Sequence, residues 1–258
     1  MQIKRVVVVA FSPTRGSLKG ALAMAEAAGA ELGAPVTSVD LTDNGAACAE
    51  TFGPEDLVLF AAPVYAGRLP TASLERLASA KGNGTRCIVT VSFGNRHYDD
   101  ALLELADLVE GNGFVPVGAA AMVARHTFGQ IQVDRPNGDD MREHAAYGHK
   151  IARALAADAV MLPQIPGTRP YKEGGGKGSF RPLTGADCIK CGLCAGICTV
   201  GAIDSADVSS IGEDCISCAR CIRSCPTGAK QWGGEQYNGF IGPFEQRLAE
   251  PNVNLYVE

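Results

Sequence analysis

The chain has 258 residues, which is long enough for one large domain or two modest ones. Hydrophobic residues make up 46% and charged residues 20%, the balance of a soluble globular protein, and no stretch of about 18 consecutive apolar residues could span a membrane. The formal net charge of −5 and the absence of a nucleic-acid-binding motif argue against a nucleic-acid partner. The apolar run at 6–9 is too short for a signal peptide.

Strands and helices are predicted to alternate through the first 160 residues. The run at 3–10 is rich in valine, which is typical of a parallel strand buried on both faces. A hydroxyl-rich turn and an alanine-rich helical stretch follow it. Strands are predicted at 3–10, 36–40, 57–62, 86–92 and 114–123, and helices at 18–32, 71–80, 99–110 and 139–157. This order predicts an α/β fold with an open, doubly wound, five-stranded parallel sheet.

The turn after the first strand has the composition of a phosphate-binding loop. In a doubly wound sheet the ligand binds beyond the carboxyl ends of the strands, where this turn should lie. Ser12, Thr14 and Ser17 can donate hydroxyl hydrogen bonds, and Gly16 allows the backbone to approach a ligand at a helix N-terminus. Arg15 adds a charge that either pairs with a phosphate or faces water. These residues suit a phosphate monoester, although an ordinary helix N-cap also uses serine or threonine.

Two later turns place aromatic residues beside glycine at the carboxyl ends of strands. Tyr65 lies in the turn at 62–70, and Tyr98 lies in the turn at 92–100. Their rings could face a planar group between them, and stacking adds about 1 kcal/mol per ring beyond surface burial. Either tyrosine alone would be an ordinary loop residue, but together with the phosphate turn they predict an FMN site. Further candidate contacts are Pro63, Val64, Ala66 and Gly67 in the first turn and Ser92, Phe93, Gly94 and Asn95 in the second.

The segment 124–138 is a long loop without a pattern of its own, and such loops are often functional. We expect it to lie near the flavin edge. It contains His126, and the turn before it contains His97; both are candidate proton donors because the histidine pKa lies near neutral pH. A loop histidine that only bonds to the backbone is the commoner case. Cys48 and Cys87 have no partner that would make either of them a nucleophile.

Eight of the ten cysteines lie in two matching runs. The first run is Cys188, Cys191, Cys194 and Cys198, and the second is Cys215, Cys218, Cys221 and Cys225. Both have the spacing C-x2-C-x2-C-x3-C, and the second run begins 27 residues after the first (215 − 188), so the segment is an internal duplication. Three cysteines two residues apart let a tight loop wrap thiolates around corners of an iron-sulfur cube. Structural zinc and disulfides also use sets of cysteines, but the triple runs favour [4Fe-4S] clusters.

Residues 183–232 therefore resemble a bacterial two-cluster ferredoxin. In such modules the fourth cysteine of each run ligates the other cluster. The resemblance assigns Cys188, Cys191, Cys194 and Cys225 to one cluster and Cys215, Cys218, Cys221 and Cys198 to the second. Thr199 stands where many such modules have proline, which leaves the ligand set intact but bears on hydrogen bonding near the second cluster. Thiolate ligands require a reducing compartment, so we expect a cytoplasmic protein.

Residues 1–160 resemble a flavodoxin, whose phosphate turn usually reads S/T-x-T-G-x-T. Here the turn reads Ser12-Pro13-Thr14-Arg15-Gly16-Ser17, so the glycine has moved by one position and Pro13 removes an amide donor. The resemblance implies that Gly67 permits a peptide flip towards the flavin. Joined to the cysteine runs, the phrases at 63–70 and 94–100 are similar to the EFR1 family of flavodoxin-ferredoxin fusion proteins.

Four regions follow from these resemblances. They are a flavodoxin-like FMN-binding domain at 1–162, a linker rich in proline and glycine at 163–182, a two-cluster ferredoxin domain at 183–232 and a tail at 233–258. Prolines predict stiff sections in the linker and Gly174 to Gly176 a flexible one. The tail is too apolar for a loose end, so we expect it to pack back onto the domains.

The favoured function is an electron carrier that passes electrons between two [4Fe-4S] clusters and FMN. The alternative is an FMN-dependent reductase of a small oxidant, such as a quinone or a nitro compound, in which the 124–138 loop shapes the pocket. A flavodoxin domain that has lost its flavin is a third interpretation. The partner is then a redox protein or a small oxidant, and the linker allows transfer within one chain or between the chains of a homodimer.

Overall fold

The secondary structure follows the predicted alternation. The computed structural model describes residues 2–159 and 162–257. Its strands are β1 (Arg5–Ala10), β2 (Val36–Asp40), β3 (Thr51–Phe52), β4 (Asp56–Pro63), β5 (Lys81–Gly82), β6 (Thr85–Phe93), β7 (Phe114–Val123), β8 (Leu183–Thr184), β9 (Lys230–Gln231) and β10 (Leu255–Val257). Its helices are α1 (Gly16–Leu32), α2 (Thr71–Leu77), α3 (Ala101–Glu110), α4 (Gly138–Ala156), α5 (Leu193–Gly196), α6 (Arg220–Arg223) and α7 (Glu235–Arg247). The predicted domain boundary at residue 162 adjoins residues 160 and 161, which lie outside the described part.

A six-stranded sheet forms the centre of the described chain, in the order β10-β7-β6-β4-β1-β2. Five of its strands are parallel, and β10 is antiparallel to β7. Taken in chain order, the parallel strands are arranged 2-1-3-4-5, which is the doubly wound order of flavodoxin-like folds. The predicted α/β fold with a mostly parallel sheet is therefore confirmed. The count of five covered only the parallel strands, because the three residues of β10 are too few to show a strand period.

The valines of β1 fill both faces of the sheet, since successive side chains of a strand point to opposite sides. Val7 packs in the same cluster as Leu102 of α3. Val8 packs on the other face with Met24 of α1 and Ile151 of α4. Helices thus cover both faces, and the carboxyl ends of the strands are left to the loops.

The cysteine module, residues 183–232, contains two copies of one local structure. Helices α5 and α6 begin 27 residues apart (220 − 193), the same offset as the cysteine runs. A left-handed residue inside a C-x2-C turn bends the chain tightly, so each copy curls around its cysteines. The copies share a left-handed backbone at three equivalent pairs: Lys190 and Ser217, Gly192 and Ala219, and Gly201 and Gly228. The duplication in the sequence is therefore also a duplication of backbone structure.

The cysteine module packs against the sheet domain. Trp232 Nε1 donates to the carbonyl oxygen of Thr127 (2.8 Å), and Arg220 Nη2 lies 2.8 Å from a carboxylate oxygen of Asp43. Phe128 lies at the centre of an aromatic cluster that joins the sheet domain to the linker, the module and α7. Its partners are Phe180, Trp232, Tyr237 and Phe240, with ring centroids 5.1 to 6.1 Å away.

The linker and the tail are also hydrogen-bonded to the sheet domain. The carboxylate of Asp100 accepts from the backbone amides of Thr168 (2.9 Å) and Lys172 (2.8 Å). The amide of Thr71 donates to the carbonyl of Gly175 (3.2 Å), so the glycine-rich part of the linker lies against the turn before α2. Within residues 2–159 and 162–257, none of the helices has the length and apolarity that a membrane crossing needs.

Candidate functional site

Two of the predicted phosphate-binding hydroxyls hold the turn between β1 and α1 together. Ser12 Oγ accepts from the amide of Leu18 (3.1 Å), and Ser17 Oγ lies 2.5 Å from Ser92 Oγ. Thr14, by contrast, has no hydrogen-bond partner among the described residues and lines the cavity that follows. The free hydroxyl of this turn is therefore that of Thr14.

Backbone amides supply the remaining donors of the turn. Arg15 has a left-handed backbone (φ 65°) and is the N-cap residue of α1. The amides of Gly16 and Ser17 are in the first turn of the helix and so have no acceptor within it. Because the helix dipole is positive at this end, the turn suits an anion.

A cavity of about 480 Å³ opens at the carboxyl ends of β1, β4, β6 and β7. It spans the switch between β1 and β4, where the strand order reverses and flavodoxin-like folds bind FMN. Twelve of the predicted site residues line it: Ser12, Thr14, Arg15, Gly16, Ser17, Pro63, Val64, Tyr65, Ser92, Phe93, Gly94 and His126. The three predicted turns thus meet around one space.

Five of the predicted site residues lie outside the lining of this cavity: Ala66, Gly67, Asn95, His97 and Tyr98. Tyr98 packs instead against the buried ring of Phe93 (5.8 Å between centroids) and stacks on His97 (4.7 Å). The Nδ1 atom of His97 accepts from the amide of Asp99 (2.8 Å). The expected pair of facing tyrosines is not formed, because Tyr65 lines the cavity and Tyr98 does not.

Asn95 holds the tail in place. Its side-chain amide donates to the carbonyls of Leu248 and Glu250, both at 2.8 Å, and its oxygen accepts from the amide of Asn252 (2.6 Å). Asn95 is 3% exposed, so these bonds are shielded from water. Its role in the structure is to position the C-terminal strand beside β7.

Ala66 and Gly67 form the tip of a tight turn. Both have positive φ angles, 53° and 85°, and the turn is closed by reciprocal backbone hydrogen bonds between Tyr65 and Arg68 at 2.9 and 3.2 Å. A Cβ atom at Gly67 would overlap the carboxylate of Asp99. Glycine is therefore required at this position both by its φ angle and by the close approach.

Cations dominate the wall of the cavity. Arg15, Lys19, Arg125, Arg135 and Arg223 line it, against one carboxylate, that of Asp134. Arg135 is neutralised by an ion pair with Asp140, and Lys19 Nζ donates to the carbonyl of Pro136 (3.0 Å). The Nε atom of Arg125 is buried without a hydrogen-bond partner among the described residues. An orphaned buried donor in a cationic wall fits a ligand that carries a phosphate.

Sequence reasoning missed four of these cations, namely Lys19, Arg125, Arg135 and Arg223. Arg125 and Arg135 lie in the 124–138 segment, which was expected near the flavin edge, so the loop was identified but its cations were not. Arg223 comes from the cysteine module, and no local pattern connects it with the sheet domain.

His126 forms part of the cavity wall. Its pKa is lowered from 6.5 to about 4, chiefly by burial and to a lesser extent by the positive charges of Arg223 and Arg96. Its Nδ1 atom accepts from the amide of Phe128 (2.9 Å), so the proton of the neutral ring lies on Nε2. At neutral pH this histidine is therefore a hydrogen-bond donor and not a charged acid.

The eight clustered cysteines are divided between two small cavities. Cys198, Cys215, Cys218 and Cys221 line one, here called the inner site, and Cys188, Cys191, Cys194 and Cys225 line the other, here called the outer site. These two groups coincide with the two sets that the resemblance to two-cluster ferredoxins implies. All ten cysteines of the chain are free thiols. Among the described residues no three side chains of His, Cys, Asp or Glu converge closely enough to share a single metal ion.

The thiols of the two sites lie in different environments. Burial raises the pKa of Cys221 in the inner site to about 12. In the outer site the amide of Lys230 donates to Cys225 and lowers its pKa to about 7. A backbone amide also reaches the fourth cysteine of the inner set, since Ala202 N lies 3.2 Å from Cys198 Sγ.

A third cavity of about 200 Å³ lies between the inner site and the large cavity. Tyr65 and His126 line both the large cavity and this one, and Ile216 lines both this one and the inner site. Burial raises the pKa of Tyr65 well above 10, and the nearby Cys218 raises it further. The inner site is therefore the neighbour of the large cavity.

No protein-family model matches the chain, and no curated protein matches it. Solved structures of similar fold cover its first three-fifths. A flavodoxin of Streptococcus pneumoniae TIGR4 is 20% identical over 60% of this chain and 98% of that chain, with a TM-score of 0.38. A two-electron reduced flavodoxin of Megasphaera elsdenii is 19% identical over 58% and 99%, with a TM-score of 0.37. An NAD(P)H:quinone oxidoreductase of Methanothermobacter marburgensis is 12% identical over 59% and 99%, with a TM-score of 0.37.

Proposed function

We propose that this protein is an electron-transfer flavo-iron-sulfur protein that holds FMN in the large cavity and one [4Fe-4S] cluster in each cysteine site. The observation that carries the proposal is that the inner site and the large cavity are neighbours, joined through Tyr65 and the cavity it lines. FMN exchanges one or two electrons and each cluster exchanges one, so the assembly would couple one-electron to two-electron chemistry.

The wall of the large cavity supports the FMN assignment. The amides of Gly16 and Ser17 and the hydroxyl of Thr14 would bind the phosphate at the start of α1. In the same wall Tyr65 offers a ring face, and His126 offers a hydrogen-bond donor. The buried Nε atom of Arg125 has no hydrogen-bond partner among the described residues, and a bound phosphate would provide one.

The two cysteine sites support iron-sulfur clusters over zinc. A cube presents four separate iron atoms, so its four cysteines need not converge on one point. Each set takes three ligands from one copy of the duplicated structure and the fourth from the other, which is the ferredoxin arrangement. The hydroxyl of Thr199 lies 3.8 Å from Cys218 Sγ, and a proline at that position would have no hydroxyl to offer the sulfur. The resemblance of the sequence to EFR1 fusion proteins supports the same proposal.

Residues shared between neighbouring cavities connect the two centres. Ile216 is 8% exposed beside the inner cysteines, and the ring of Tyr65 stands between them and the large cavity. The aromatic cluster around Phe128 fixes the module against the sheet domain, so this spacing does not depend on a mobile linker. Transfer within one chain is the route that the contacts favour.

The composition of anaerobically purified protein tests the proposal. We expect about eight iron and eight sulfide per FMN, with separate flavin and cluster absorption bands. Zinc in place of iron, or protein that neither retains nor binds FMN, would contradict it.

A flavin-dependent reductase is the second candidate, and the cavity of about 200 Å³ favours it. That cavity adjoins the FMN site through Tyr65 and His126 and is large enough for a small organic molecule. Anaerobic turnover of a screened quinone or nitro compound that requires intact clusters would establish the reductase. Electron exchange with a redox protein, in the absence of any such turnover, would establish the carrier.

A further inference from the structure

Arg223 has no structural counterpart in the other half of the cysteine module. The equivalent position in the first copy is Gly196 (223 − 27), so the duplicated structure does not need an arginine there to form its cysteine site. Arg223 ends α6 and lies between Cys221 of the inner site and Cys225 of the outer site. The role of an arginine at this position therefore lies outside the module.

The side chain of Arg223 reaches into the sheet domain. It lines the large cavity, and its Nη2 atom donates to the carbonyl oxygen of His126 (2.8 Å). Among the described residues no carboxylate forms an ion pair with it. Arg125 lines the same cavity. Two arginines that face one cavity without a carboxylate partner favour an anionic ligand between them.

Arg223 enters the cavity beside His126 and Tyr65. Its guanidinium can donate to the oxygens of a bound ligand, and FMN carries acceptor oxygens on both its phosphate and its ring. We infer that Arg223 binds FMN, so that the cysteine module completes the flavin site of the sheet domain.

This inference rests on the proposed function, because it requires FMN in the large cavity, and it adds a link between the cofactors. Helix α6 carries Arg223 between ligands of both cysteine sites, so its position depends on how those sites are filled. Clusters that fix α6 also fix Arg223 at the flavin. Loss of iron from the module therefore weakens FMN binding, even though no cysteine lines the flavin cavity.

The first test measures the FMN affinity of the whole chain after its flavin has been removed. Binding is detected by the quenching of FMN fluorescence. Arg223→Gln should bind FMN about tenfold more weakly, which corresponds to about 1.4 kcal/mol. Arg223→Lys should lose less, because it keeps the charge but not the fork of the guanidinium. The matched control is Arg181→Gln, since Arg181 belongs to the linker beside the module, donates to the carbonyl of Gly212 and does not line the cavity.

The second test compares protein with and without iron. Removal of iron should weaken FMN binding in the wild type and have little further effect in Arg223→Gln, because both changes remove the same contact. Unchanged FMN affinity in Arg223→Gln, or an equal loss in Arg181→Gln, would overturn the inference while leaving the proposed function in place. If Arg223→Gln does not fold, two other results together overturn the inference. They are wild-type FMN affinity in Arg223→Lys and full FMN binding by iron-free wild-type protein. Wild-type protein that binds no FMN at all would overturn the proposed function.

Discussion

The two cysteine sites have the same ligand spacing and the same local backbone but different surroundings. We call the copy that begins at Cys215 the inner copy and the copy that begins at Cys188 the outer copy, after the site to which each gives three cysteines. Ile216 in the inner copy is 8% exposed, whereas its counterpart Ile189 in the outer copy is 65% exposed (216 − 189 = 27). The inner copy packs against the turn that carries Tyr65, and the outer copy faces the exterior. The two equivalent cysteine sites therefore differ in role because they differ in position. Under the proposed function, the inner site exchanges electrons with the flavin and the outer site exchanges electrons with the redox partner.

The largest difference between the two sites should appear when one cysteine is removed from either of them. Cys218→Ser should disrupt the inner cluster and stop reduction of the flavin through the clusters. Cys191→Ser should disrupt the outer cluster and leave the inner cluster in contact with the flavin. Each variant should lose about half of its iron. Iron analysis and flavin reduction after anaerobic mixing would test this, and equal effects of the two variants on the flavin would contradict the division of roles.

The packing of the two copies can be compared at equivalent isoleucines. Ile216→Ala should lower the free energy of unfolding by about 2 to 4 kcal/mol, because it leaves a cavity in a buried contact. Ile189→Ala should change it by less than about 0.5 kcal/mol, because the side chain is mostly in water. Denaturant unfolding of the anaerobic protein provides the measurement. A similar loss in both variants would mean that the outer copy is also covered.

The histidine between the inner site and the flavin cavity predicts a pH effect. The pKa of His126 falls from 6.5 in the unfolded chain to about 4 in the folded protein, chiefly through burial. As the pH drops below 6.5, the unfolded state gains a proton that the folded state does not, so stability declines until about pH 4. His126→Asn should reduce that decline by about 1 to 2 kcal/mol, after allowance for partial exposure. The measurement is the free energy of unfolding between pH 7 and 4, and parallel curves for variant and wild type would contradict it.

Of the contacts compared, the ion pair between Arg220 and Asp43 should contribute least to the free energy of unfolding. Arg220 joins the inner copy to the sheet domain, while its counterpart in the outer copy is the exposed Leu193. Asp43 is 75% exposed, so Asp43→Asn should cost about 0.5 kcal/mol or less and the effect should fade in high salt. Unfolding at low and high ionic strength would measure it, and a loss of several kcal/mol would show that this one contact holds the module in place.

Local patterns of the sequence predicted the elements and the cysteine sets. The observed strands at 36–40 and 114–123 coincide with the predicted ones, because each is rich in β-branched or apolar residues and lies between turn residues. Spacing alone shows the two cysteine runs, and the exchange of the fourth cysteine between them is what the resemblance to two-cluster ferredoxins implies. Contacts between distant parts of the chain had no such signal.

Tyr98 and Arg223 illustrate that limit. Tyr98 has the right position in the sequence for a flavin contact but packs against Phe93, because side-chain direction after the end of β6 is not encoded by loop position. Arg223 has the wrong position in the sequence and yet lines the cavity, because docking of the module brings α6 to the edge of the sheet.

The most direct test of the central claim is anaerobic stopped-flow reduction of dilute protein by a one-electron donor, with cluster and flavin absorption followed at several protein concentrations. If the inner site passes electrons to the flavin of its own chain, flavin reduction follows cluster reduction with a rate constant that is independent of protein concentration. A rate that rises in proportion to protein concentration, or a flavin that stays oxidised while the clusters are reduced, would contradict the account.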